Sequence, residues 1–191
     1  LPPDVKLDIS GTADELTTTW KAMAINLLVS IMIVYLLMTI LFESFKYPFI
    51  IMLSVPPAAA GGVIGLSLLN LTTFQPLDML TMLGFVILSG IVVNNAILLV
   101  HRTLQTIKNN DLGVNDAILD ATNSRIRPIF MSTLTSVFGM FPLVAFPGAG
   151  SELYKGLGSV ILGGLSLSAV LTLLIVPPML KLFLREKESI K

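Results

Sequence analysis

Five stretches of this chain are almost free of charged and strongly polar side chains. They cover about residues 22–42, 48–69, 79–100, 128–146 and 156–184. Each is near or above the roughly 20 apolar residues that a helix needs to cross a hydrocarbon core. A soluble helix keeps a polar face towards water, and these runs have almost none. Lipid offers no partner to an open backbone group, so each run predicts a spanning helix. The expected fold is an all-α membrane protein with five transmembrane helices.

The polar segments between the runs mark their ends. Glu43 to Pro48 reads as a tight turn with charge and aromatic side chains at the interface. Asn70 to Asp78 is a polar loop. Residues 103–127 form the one long polar insert, and Pro147-Gly148-Ala149-Gly150 is a turn before the last run. Within the insert, Asn115 is placed to cap a short helix, DAILDATNSRIR, whose partial apolar face predicts a position along the membrane surface. Residues 1–19 are polar and read as a water-exposed lead-in, with a capping-box pattern from Thr12 to Glu15. Residues 20–184 form the membrane domain and 185–191 a tail. The chain opens on LPPDVKLDIS, with no signal or targeting pattern, and is expected to be a fragment of a longer polypeptide.

Composition agrees with the pattern. Of 191 residues, 54% are hydrophobic and 13% charged, against about 25% charged in an ordinary soluble domain. Net charge is zero, so nucleic acid is not an expected partner. There is no cysteine and only one histidine, His101, so no metal centre or other cofactor is expected. Neither an H-E-x-x-H motif nor an Asp pair at depth suggests an intramembrane enzyme.

Basic residues give the orientation. With five spans, Lys46, Arg102, Lys108, Arg125, Arg127, Lys181, Arg185, Lys187 and Lys191 fall on one side, and only Lys6, Lys21 and Lys155 on the other. The positive-inside rule puts the first group in the cytoplasm, the N-terminus outside and the C-terminus inside.

The candidate chemistry lies in two runs. Asn94 and Asn95 sit deep in the third, GFVILSGIVVNNAILLVHR. A polar side chain at that depth faces a bundle interior or a wet cavity. In the fourth, Arg125 and Ser132 are seven residues apart and share a face if the helix runs through Pro128; Ser136 continues that face. Such a stripe can carry a proton through water, or answer a carboxylate that changes charge. It can equally be interhelical hydrogen bonding, with Arg125 a plain cytoplasmic anchor. No carboxylate lies inside a run, so a proton-coupled machine would need one from elsewhere. Gly61 and Gly65 make a GxxxG, and Gly163 belongs to a second glycine cluster; both read as helix-packing positions. Pro56-Pro57 and Pro177-Pro178 predict local kinks.

GIVVNNAILLV, SRIRPIFMSTLTSVFGMFPLV and GAGSELYKGLGSVILGGL resemble the C-terminal membrane half of resistance-nodulation-division (RND) transporters, in the hydrophobe/amphiphile multidrug efflux branch. LPPDVKLDISG and FESFKYPFIIMLSVP fit the same half, in order and spacing. The resemblance implies helices eight to twelve of a twelve-helix subunit in the bacterial inner membrane. It implies a homotrimer driven by inward proton flow, with a periplasmic adaptor and an outer-membrane channel as possible partners. The aspartates of such a relay would lie on helix four, in the missing N-terminal half. By position, Asn94 stands where the family carries a relay lysine and Asn95 matches the following asparagine. Arg125 matches the arginine before helix eleven, and Ser132 a relay threonine. The lysine charge is absent here. Alternatives within the superfamily are a lipid or metal-ion exporter; outside it, a non-transporting membrane sensor or scaffold.

Overall fold

The computed structural model describes residues 12–110, 113–146, 148 and 150–188, with backbone alone at 12–17, 19–20, 109–110 and 185–188. The described residues form six helices: α1 (Thr12–Phe42), α2 (Lys46–Met52), α3 (Val55–Asn70), α4 (Met79–Asn110), α5 (Val114–Ala145) and α6 (Ser151–Glu188). Five spans are long and apolar enough to cross a membrane: Lys21–Phe42, Lys46–Asn70, Met79–Lys108, Val114–Ala145 and Ser151–Leu184. Among the described residues the fold is all-α, that of a membrane protein.

The second apolar run is two helices, not one. α2 ends at Met52 and α3 begins at Val55, just ahead of Pro56 and Pro57. Neither proline has an N–H for the carbonyl four residues back, so the ladder stops and restarts with proline in the first turn of α3. Buried Ser54 closes the joint: its Oγ donates to the Ile51 carbonyl at 2.6 Å. Pro128 and Pro142 lie inside α5, and Pro177 and Pro178 inside α6, without ending either helix.

The 103–127 insert also differs from expectation. α4 continues to Asn110, and α5 runs unbroken from Val114 through Pro128 to Ala145. Among the described residues there is no separate surface helix. The N-cap is Gly113, not Asn115, and it makes no side-chain cap bond. The reason is burial: Ala117, Ile118 and Ala121 are buried, and Ile118 joins the core with Leu99 and Leu180. That contact holds the segment in line with the rest of α5. The lead-in at residues 1–11 and the capping-box side chains of Thr12 and Glu15 lie outside the described residues.

α6 is the central element, packed on α3, α4 and α5. One core cluster joins α3, α4 and α6 around Leu88, Val160, Ile161 and Leu165. A second, towards the other end, joins Ile50, Ile51, Leu99, Val100, Val176 and Leu180. α1 packs least. Leu28, Ile40 and Leu41 stand more than half exposed in this chain alone, a face suited to lipid or to further protein.

Candidate functional site

Helix α4 brings the two amides to the bundle at different depths. Val92, Val93 and Ala96 face the core. Asn94 is exposed and Asn95 half-buried, because neighbours on a helix point about 100° apart. Among the described residues, neither amide has a hydrogen-bond partner for its side chain. Each nevertheless offers two donors and an acceptor.

Asn94 lines a crevice of about 380 Å³ between α1 and α4, shared with Ser30 and Ser89. The two hydroxyls donate within their own helices, Ser30 Oγ to the Asn26 carbonyl at 2.8 Å and Ser89 Oγ to the Val86 carbonyl at 2.7 Å. Asn94 is therefore the unspent polar group of the crevice. The walls come from α1, α4, Met52 and Val55, with no residue of α5. Sequence spacing gave no sign of Ser30, since angles along one helix say nothing of a neighbouring one.

On α5, Arg125 is half-buried and Ser132 exposed. The unbroken helix through Pro128 puts them seven residues apart on one face. Ser132 Oγ donates to the Ile129 carbonyl at 3.0 Å, leaving its lone pairs as acceptors. Arg125 is in no ion pair with any described residue. The structure does not join Arg125 and Ser132 to the Asn94 crevice; the polar groups present two surfaces of the bundle, on adjacent packed helices.

The glycines have a different setting. A methyl added to Gly61 would stand 2.8 Å from the Gly163 carbonyl oxygen, and one on Gly65 2.9 Å from the Gly163 Cα. α3 and α6 thus touch backbone to backbone there, where small residues allow close approach in lipid. Among the described residues, no group of three His, Cys, Asp or Glu could hold a metal ion.

The model of the AcrB/AcrD/AcrF family matches residues 1–184. The chain belongs to this family. It is therefore part of an RND multidrug efflux transporter family. Among its curated relatives is the multidrug resistance protein MdtC of Enterobacter sp. (strain 638), 37% identical over 177 residues, which are 93% of this chain and 17% of that protein. MdtC of Salmonella paratyphi B is 38% identical and that of Escherichia coli O1:K1 / APEC 37%, over the same shares. The chain thus spans about a sixth of the length of the relatives it matches. As an AcrB/AcrD/AcrF family segment, its five spans are a membrane portion, and most of its relatives' length lies outside the match.

Proposed function

We propose that these five spans are helices eight to twelve of an RND-type exporter, driven by the proton gradient and expelling hydrophobic or amphiphilic compounds. In this reading the amides of α4 and the Arg125–Ser132 face of α5 meet acidic side chains of a segment outside the chain. The observation that carries it is that Asn94 and Asn95, within a span, have no side-chain partner of their own among the described residues. A polar group left unpaired away from water costs about 1–3 kcal/mol, which favours a partner supplied by the rest of the protein.

The chemistry of an amide defines what Asn94 can contribute. Its N–H donates to a carboxylate, and its carbonyl accepts from the protonated acid. It thus stays bonded through a protonation cycle, but it has no charge with which to hold the carboxylate ionised. In this chain the compensating positive charge falls to Arg125 or to the transported proton. We extend the reading to an inner-membrane homotrimer, with the N-terminus periplasmic, the C-terminus cytoplasmic, and a periplasmic adaptor and outer-membrane channel as partners. The names of the MdtC relatives and the family match support a multidrug substrate class.

The test is complementation of an efflux-deficient strain by the full-length transporter carrying Asn94→Ala or Arg125→Ala. The expected result is lost drug resistance at unchanged membrane level. Full resistance in both variants would refute the relay role.

A further inference from the structure

The sequence shows Lys155 only as a cation near the start of the last span. In the structure Lys155 is 9% exposed. It lies one turn into α6, in a groove shared with Leu69 at the end of α3 and Val144 and Ala145 at the end of α5. No described residue forms an ion pair or hydrogen bond with its side chain. Glu152, a turn earlier on the same helix, is exposed and is not paired with it. The stem is packed while the ammonium tip stays open to the groove, with no counter-charge among the described residues, so it presents an unpaired cation there.

Lys155 lines a groove of about 830 Å³ between α3, α5 and α6. Its head end also holds Thr72 and Thr73, and its far end reaches Leu162 and Ser166. Among the described residues, no acidic side chain lines it. Of the hydroxyls near the head, Thr72 Oγ1 already donates to the Leu69 carbonyl and Ser159 Oγ to the Gly156 carbonyl. Among the described residues, Lys155 and Thr73 remain as unpaired donors. From Lys155 to Ser166 is eleven residues, about 16 Å along a helix. Half of a roughly 30 Å hydrocarbon core is about the same length. The groove therefore has a cationic head at a span end and an apolar channel one leaflet deep.

We propose that this groove binds an anionic phospholipid from the surrounding bilayer, with the phosphate on Lys155 and Thr73 and one acyl chain laid along α6 towards Ser166. A carboxylate from another protein segment would satisfy the charge but would leave the apolar channel unfilled. Free phosphate would do the same.

The test is native mass spectrometry of the full-length transporter released from nanodiscs of phosphatidylcholine doped with phosphatidylglycerol of the same chains. The expected result is selective retention of phosphatidylglycerol, lowered roughly fivefold by Lys155→Gln and kept by Lys155→Arg. Ser166→Trp, at an exposed position, is expected to lower retention while leaving the fold intact. Equal retention of the two lipids would overturn the proposal, as would retention untouched by Lys155→Gln. Displacement of the lipid by inorganic phosphate alone would overturn the acyl-chain part. A variant that fails to fold while the wild type holds no anionic lipid would assign Lys155 to a protein carboxylate instead, which also overturns it.

Discussion

Gly65 of α3 and Gly163 of α6 meet with no side chain between them: a methyl built on Gly163 would stand 2.7 Å from the Gly65 Cα, and one on Gly65 2.9 Å from the Gly163 Cα. Neither neighbour is a flexible side-chain tip, so the helices themselves must part to admit a methyl. Gly65→Ala and Gly163→Ala are each expected to destabilise the bundle by about 1–3 kcal/mol, the usual cost of overpacking. Gly139 has nothing within 4 Å of an added methyl. Gly139→Ala is expected to be neutral or to stabilise by up to about 1 kcal/mol. Thermal unfolding in detergent separates the two classes, and equal midpoints for Gly65→Ala and Gly139→Ala would contradict the contact.

The start of α4 rests on Asp78, whose Oδ1 accepts from the Thr81 backbone N–H at 2.7 Å. This is an N-cap, and it places a carboxylate at the positive end of the helix dipole. Asp78→Ala is expected to cost about 1 kcal/mol and to speed hydrogen exchange in the first turn of α4. Asp78→Asn keeps the acceptor and is expected to lose much less. Unchanged exchange in Asp78→Ala would show that the cap does not hold this end.

Orientation is open to direct labelling. Gly113 and Phe74 lie at opposite ends of α4, and both are exposed. Because the chain has no cysteine of its own, Gly113→Cys and Phe74→Cys each give a single thiol within it, in a full-length transporter whose cysteines elsewhere are replaced by serine. In intact cells, a membrane-impermeant maleimide is expected to modify the cysteine at 74 and spare the one at 113. The reverse pattern would invert the orientation drawn from the basic residues.

The spans were legible because lipid imposes one demand, a run of apolar residues long enough to cross it, and the chain satisfies that demand openly. What stayed hidden depends on contacts between runs. Pro56-Pro57 signalled a kink in the apolar stretch at 48–69, but not that the stretch would divide there, with Ser54 at the joint, into α2 and α3. The polar insert suggested a surface helix because its charges were visible, whereas the burial of Ile118 against α4 and α6 was not. Asn94 and Asn95 stood out as amides at depth. Their surroundings did not: Ser30 reaches the Asn94 crevice from a helix more than sixty positions earlier in the chain. Lys155 looked like an ordinary loop-side cation until its burial was known.

The α5 face offers a graded test of the relay reading. Ser132→Ala removes a hydroxyl already donated to the Ile129 carbonyl, so it leaves no buried donor unpaired. If only the lone pairs of Ser132 serve the relay, the loss of export is expected to be about fivefold, the equivalent of roughly 1 kcal/mol. Arg125→Lys keeps the charge but not the planar fork, and is expected to fall between wild type and Arg125→Ala. Equal export by all three Arg125 forms would make that residue an anchor and nothing more.

The most direct measurement is drug movement by the purified full-length transporter in proteoliposomes under an imposed pH gradient, with wild type and Asn94→Ala reconstituted at matched density. The expected result is gradient-dependent transport by wild type and a loss of about five- to thirtyfold in Asn94→Ala, the equivalent of roughly 1–2 kcal/mol of lost hydrogen bonding. Transport by Asn94→Ala that equals wild type and depends on the gradient in the same way would contradict a role for the α4 amide in proton coupling.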